Sequence, residues 1–317
     1  MVGMKSLMHL MMTMGACWLV LTNGSAAEWM SNPDAAVAAA KAEGRTVLLE
    51  FTGSDWCPPC MYLRAHIFPH EAFQTYVDEQ KLVLAELDFP RNAEKLTPEQ
   101  RETNEAWRAR YNVTSFPTIL VLDGTGAPYA MVTSANTKVE DYMERLKAGL
   151  KKKDDLEAAL KAARELSGAE RAQALAAALA ELPSEWRLLH REVVDDILAN
   201  DPEDVAGYRK LEQEIALLAV QKKELEALYA KYRKDAASIS HEEAIADAKE
   251  MLAREDLLPV VRLYVSKFLS DTYAMIGDIQ HTHEYLKAAI EAAPDSQEAT
   301  KLRPWLENLE RHMAEGK

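Results

Sequence analysis

A chain of 317 residues is long enough for roughly two domains and, by burying about 75% of its unfolded surface, needs no disulfide scaffold. Its 37 Lys+Arg against 51 Asp+Glu leave a net charge of -14. That balance excludes a phosphate backbone as main ligand and an anionic membrane surface as docking site, while 48% hydrophobic residues exclude disorder of the whole chain.

Residues 1–27 read as a secretory signal. Lys5 is their only charge, residues 7–21 form a mostly apolar run, and Ser25-Ala26-Ala27 supplies the small residues a signal peptidase accepts. The run of 15 is shorter than the about 20 residues of a bilayer span. An uncleaved anchor helix and lipidation at Cys17 are the alternatives, the second opposed by apolar residues 18–21 continuing past that cysteine. Cleavage after Ala27 leaves Cys57 and Cys60 as the mature chain's cysteines, free of the membrane in a periplasmic or secreted setting where disulfides persist.

Charge and composition divide the remaining 28–317 in two. Residues 28–153 hold 15 basic and 18 acidic side chains and are rich in β-branched and aromatic runs; residues 154–317 hold 21 and 33 and are rich in Ala, Leu and Glu. We therefore expect a first domain over 28–152 and an all-helical one over 153–317. The junction Leu150-Lys151-Lys152-Lys153-Asp154-Asp155 reads either as a linker or as the basic end of one helix meeting the acidic start of the next.

In chain order, Asn32-Pro33 opens a helix that reaches about Glu43. Residues 46–51 are a short, nearly continuous apolar run, as a buried strand requires. A helix starts at Cys57 and stops by Phe68-Pro69, and residues 82–89 form the next strand. Thr97-Pro98-Glu99-Gln100 is a capping box with proline at the first helical position. Residues 118–122 are a strand, turned by Asp123-Gly124-Thr125-Gly126 into another over 129–133. Thr137 caps a last helix to about Gly149. The order α-β-α-β-α-β-β-α describes a mixed sheet with helices on its faces.

The sharpest chemical signal is Trp56-Cys57-Pro58-Pro59-Cys60, directly after a predicted strand. On a helical turn the i, i+3 spacing brings two Cα atoms to about 5–6 Å, the span of a disulfide. The unpaired N–H groups at a helix start favour a thiolate, so Cys57 is the expected nucleophile and Cys60 the resolving thiol. The two prolines start the helix without wasting a donor. A zinc site lacks its second cysteine pair; His66 and His70 complete one only on paper, because Pro69 interrupts the helix between them. A purely structural disulfide gains least from so short a loop. The two sulfurs are themselves the redox couple, so no cofactor and no metal is expected.

With the strand before it and Ser115-Phe116-Pro117-Thr118 after it, this motif resembles the thioredoxin family, and in particular exported bacterial thioredoxin-like proteins carrying Phe-Thr-Gly-Ser-Asp-Trp-Cys, here residues 51–57. The resemblance covers roughly residues 33–150, under half of the chain. It implies an α/β thioredoxin fold, a cis Pro117 facing the dithiol, and a substrate peptide received between Trp56 and the Phe116-Pro117-Thr118 loop. It also aligns Glu50 with the family's buried acid, a proton acceptor for Cys60. The chain departs from thioredoxins proper in having Glu for Asp and one extra residue in Thr52-Gly53-Ser54-Asp55, and an alternating strand leaves Glu50 facing either the dithiol or solvent. Asp55 reads as a surface turn residue.

Beyond residue 153 everything reads as helix. Ser167-Gly168 is a break, and Pro183-Ser184, Asp201-Pro202, Ser240-x-x-Glu243 and Pro294-Asp295 are starts, giving six to eight helices packed as hairpins. Over residues 263–296, Leu269, Tyr273, Gly277, Ala289 and Pro294 stand at the spacing of a tetratricopeptide repeat. Ser270 replaces the usual glycine, and Leu286 the usual aromatic. An ordinary helical bundle is the alternative. His281 and His283 read as surface residues beside a turn.

Together these expectations describe an exported thiol–disulfide oxidoreductase acting on protein disulfides, reducing rather than oxidising or isomerising them, recycled by an unidentified redox partner and with a protein partner on its helical half. The alternative is a binding or scaffold protein whose helical half does the work.

Overall fold

The structure, a computed structural model, describes residues 28–132, 138–233 and 241–314. The signal-like leader with Cys17, the Thr137 cap and the Ser240 cap lie outside the described residues. The chain forms two compact units that divide between Ala162 and Ala163.

The first unit is built on a five-stranded sheet. Its strands are β1 (Trp29–Met30), β2 (Val47–Thr52), β3 (Val83–Asp88), β4 (Thr118–Leu122) and β5 (Pro128–Val132), in spatial order β1-β3-β2-β4-β5. β2 runs parallel to β3 and antiparallel to β4, so it sits at the centre. Every residue of β2 and β4 is buried, which is why both read as unbroken apolar runs rather than as alternating ones. β1 is too short to leave such a signal.

Helices cover both faces. Asn32 caps α1 (Pro33–Glu43), its Oδ1 accepting Ala35 N–H at 3.0 Å, and Gly44 ends it at φ 63°. α2 (Pro58–Tyr62) runs straight into one π turn, Leu63–Ile67, and α3 (Glu71–Glu79) follows the break at Phe68-Pro69. The Thr97–Gln100 capping box is formed in both directions at α4 (Pro98–Arg110). Leu48, Leu84, Ile119 and Val121 pack with Leu63, Ile67, Phe73, Val77, Tyr142 and Leu146 on one face of the sheet. On the other face Phe51 meets Tyr111 and Phe89. Gly124 has a steric reason in the β4–β5 turn, since a Cβ there would stand 2.5 Å from the Lys41 backbone.

Three expectations need correction. The helix predicted to end near Gly149 is α5 (Val139–Arg164), unbroken through the charged run at 150–155. That run is therefore neither a linker nor a helix junction. Its basic and acidic blocks lie four residues apart and form helix-supporting pairs, Lys151–Asp155 at 2.6 Å and Lys153–Glu157 at 2.7 Å. α3 has no counterpart among the predicted elements, because Pro69 masks a start whose cap is His70, with Nδ1 accepting Ala72 N–H at 3.2 Å.

The third correction falls in the second unit, which holds α6 (Gly168–Leu179), α7 (Ser184–Arg187), α8 (Arg191–Asn200), α9 (Tyr208–Arg233), α10 (His241–Leu252), α11 (Pro259–Met275), α12 (Ile279–Ala292) and α13 (Gln297–Ala314). Asp201-Pro202 does not start a helix. The Asp201 carboxylate accepts the N–H groups of Val205 and Ala206, and the loop turns through Asp204 (φ 56°) and Gly207 (φ 74°) before α9 begins. At Pro294-Asp295 the cap is Ser296, whose Oγ accepts Ala299 N–H at 3.1 Å. α11 and α12 pack around Gly277 at φ 78°, with Leu269 and Ala289 fully buried. His281 and His283 sit near the start of α12, bonded to Asp278 and Glu310 respectively. No described helix is long and apolar enough to cross a membrane.

Candidate active site

β2 delivers the chain to the C-terminal edge of the sheet, where the turn after Thr52 folds back on itself. The N–H groups of Trp56 and Cys57 both donate to the Gly53 carbonyl, at 3.3 and 3.0 Å. Gly53 is required by crowding, since a Cβ on it would lie 2.6 Å from the Trp56 indole. Cys57 then stands in extended conformation (φ -100°, ψ 98°) as the N-cap of α2, and Pro58 and Pro59 form its first turn.

Cys57 and Cys60 are joined in a disulfide with Cα atoms 5.3 Å apart. Cys60 N–H donates to Cys57 Sγ at 3.3 Å, so a backbone donor of the helix start is aimed at this sulfur. Exposure does not separate the two cysteines, at 3% for Cys57 and 2% for Cys60. Position on the helix does.

Glu50 lies on β2 with the parity of Leu48, and thus on the face that α2, the π turn and α5 cover. It is 1% exposed, and its Oε1 has no hydrogen-bond partner among the described residues. Burial pushes its carboxyl up to about 7, opposed by Arg64 of the π turn and by a hydrogen bond with Thr52, and aided by Asp88. Arg64 itself is ion-paired with Glu86, the residue opposite Glu50 in β3. Nearby Tyr142, fully buried, also has an unpartnered hydroxyl, raised by burial and by Glu50. The question the sequence left open is thus answered toward the interior.

The other predicted residues gather at the same edge. The Phe116-Pro117 bond is cis. Thr118 opens β4 opposite Phe51 and donates its Oγ1 hydrogen to Ser115 O at 2.7 Å. The rings of Trp56 and Phe116 meet edge to face at 5.8 Å, which ties the residue before the dithiol to the residue before the proline.

Several neighbours carry no signal in the sequence. Trp56 Nε1 donates to Phe89 O at 2.7 Å, and the Phe89 ring stacks on Phe116 at 5.0 Å. Asp88 accepts the N–H and Oγ–H of Ser54 at 2.8 and 2.6 Å. Asp55 is a turn residue, as expected, and also an anchor. Its carboxylate accepts Arg91 N–H and Asn92 N–H and pairs with Lys95 at 3.0 Å, contacts that hold it down at about 2. All these links join residues far apart in the chain, and no local spacing announces them.

His66 lies against the Tyr62 ring and His70 caps α3. Among the described residues no group of three or more His, Cys, Asp or Glu is arranged to hold a metal ion.

Comparison with known proteins fits this construction. The family model of the thioredoxin-like domain matches residues 33–150. The disulfide bond reductase DsbH of Chlamydia pneumoniae is 30% identical over 124 residues, which are 39% of this chain and 73% of that protein. Among solved structures, a DsbH oxidoreductase is 27% identical with a TM-score of 0.37, covering 46% of this chain and 95% of that one. A thioredoxin from Thermus thermophilus is 20% identical with a TM-score of 0.30, covering 39% and 87%.

Proposed function

The chain belongs to the thioredoxin-like family and is a thiol–disulfide oxidoreductase; from that premise we propose that it is exported and works as a reductant of disulfides in protein substrates. One observation carries the reading: a cysteine pair set on the cap and first turn of a helix, with a backbone donor aimed at the sulfur on the cap. The leader-like residues 1–27 support export. The reductive direction is supported by the name of the relative, a disulfide bond reductase.

In the reduced enzyme, Cys57 as thiolate attacks one sulfur of a substrate disulfide. The Cys57–substrate bond forms, the substrate S–S bond breaks, and the departing thiolate takes a proton from solvent. Glu50 then accepts the Cys60 proton. The Cys60 thiolate attacks Cys57 Sγ, the mixed disulfide breaks, and the second substrate half leaves as a thiolate that takes a proton from solvent. Two electrons have passed to the substrate, and the enzyme holds the Cys57–Cys60 disulfide of this structure. A dithiol protein partner must return those electrons. Trp56, Phe116, Pro117 and Thr118 form the shelf on which the substrate backbone lies.

For the second unit we propose a recruiting role, with a first domain and a helical domain as functional divisions that meet within α5. The repeat-like spacing of α11 and α12 supports it, as does the apolar tip formed by Met275, Ile276 and Ile279, which are 69%, 50% and 48% exposed.

The test is reduction of insulin disulfides by the chain without residues 1–27, supplied with dithiothreitol. The wild type is expected to exceed a Cys57→Ser/Cys60→Ser double variant at least about tenfold. Equal rates would overturn the enzymatic reading.

A further inference from the structure

Beside the dithiol lies a groove of about 500 Å³ whose floor is the aromatic chain Trp56, Phe116 and Phe89, and whose rim carries Arg91, Arg101 and Arg108. The floor is continuous with the site, because Trp56 precedes Cys57 and Phe116 precedes the cis proline. The rim is held by the site as well. Asp55 fixes the backbone of Arg91 and Asn92, and Trp56 Nε1 fixes that of Phe89.

The charge here runs against the rest of the molecule. The chain carries -14, yet this rim holds three guanidinium groups. Two carboxylates also line the groove, and both are engaged. Asp88 is bonded to Ser54, and Glu105 pairs with Arg108 at 3.2 Å. Arg91 lies over the Trp56 ring at 5.6 Å, and Arg108 over Phe89 at 5.6 Å. Among the described residues neither Arg91 nor Arg101 has a carboxylate partner, so their charge faces whatever enters.

We propose that this groove receives the segment flanking the disulfide of a protein substrate, and that it selects segments with an aromatic or large apolar side chain next to acidic residues. The apolar side chain covers the aromatic floor and the carboxylates meet Arg91 and Arg101. This rests on the oxidoreductase reading and adds the substrate class to it. Exposed charges at a rim act chiefly on encounter, so the selectivity falls with added salt.

The experiment uses the chain without residues 1–27, reduced beforehand, and three substrates. Two are disulfide-linked peptides identical except for Glu-Glu-Phe or Lys-Lys-Phe beside the cysteine; the third is 2-hydroxyethyl disulfide. The readout is the ratio of second-order rate constants for the two peptides, taken within each protein so that general losses cancel. The wild type is expected to prefer the acidic peptide about fivefold at low salt, less at about 0.5 M. In Arg91→Ala/Arg101→Ala the ratio falls toward one, and in Arg101→Glu it inverts. A wild-type ratio near one, or a preference that survives the double substitution, overturns the inference while turnover of 2-hydroxyethyl disulfide leaves the enzymatic reading standing. No turnover of any of the three overturns both.

Discussion

Replacing Glu50 with glutamine is expected to stabilise the oxidised chain at pH 8 by about 3 kcal/mol, to leave it unchanged near pH 4, and to slow the enzyme. The carboxyl is 1% exposed with one oxygen unpartnered, and burial holds its protonation midpoint at about 7 against an ordinary 4.5. Between those values the folded chain keeps a proton that the unfolded chain has released. The stability associated with the proton is thus complete below 4.5, declines as pH rises, and is gone above about 7. The gap corresponds to about 3 kcal/mol. Glutamine has the same shape and never ionises, so the variant escapes the loss. The same ability to take a proton near neutrality is what Cys60 needs, and removing a general base costs roughly 10²-fold in the resolving step. Denaturant unfolding of both oxidised proteins across pH 4 to 9 reads the first effect, and decay of a preformed mixed disulfide reads the second. Parallel stability curves would mean that Glu50 does not hold its proton as described.

The single cysteine variants are expected to fail in different ways. Cys57→Ser removes the sulfur at the helix cap, and turnover drops at least about 10³-fold with no covalent adduct. Cys60→Ser keeps the attacking sulfur and loses the group that releases it, so one substrate half stays attached to Cys57. Burial cannot make this distinction, the two residues being 3% and 2% exposed. The Cys60 N–H aimed at Cys57 Sγ, and the helix start behind it, can. Mass spectrometry of the intact chain after mixing with a disulfide peptide reads the outcome. An adduct on Cys57→Ser and none on Cys60→Ser would reverse the assigned roles.

The pattern of agreement between sequence and structure has a physical logic. β2 and β4 were legible because a strand buried on both faces is apolar throughout, and the starts at Asn32 and Thr97 because capping chemistry is local. The cysteine pair was legible for the same reason, with sulfurs, spacing and helix start all in one short stretch. Features set by distant partners were not. The side on which Glu50 lies follows from the register of β2 and from what covers it, and a strand buried on both faces is silent on both in its sequence. The groove is assembled from residues 56, 88–108 and 116, and neither Phe89 at a strand's end nor three arginines on a loop and helix mark themselves as neighbours. Where local chemistry pointed the wrong way, a second local element outweighed it. The lysine–aspartate run favours continued helix through its i, i+4 pairs, and Asp201 bonds its own loop instead of capping α9.

The central claim is that Cys57 and Cys60 exchange electron pairs reversibly with other molecules and give them to substrates. Equilibrating the chain without residues 1–27 in dithiothreitol buffers of graded potential, and trapping the thiols by acid and alkylation, measures this directly. The expected result is a single two-electron transition with a midpoint more negative than about -200 mV. A midpoint near about -120 mV, the range of strong oxidants, would contradict the reductive direction; a pair that does not titrate at all would contradict the claim itself.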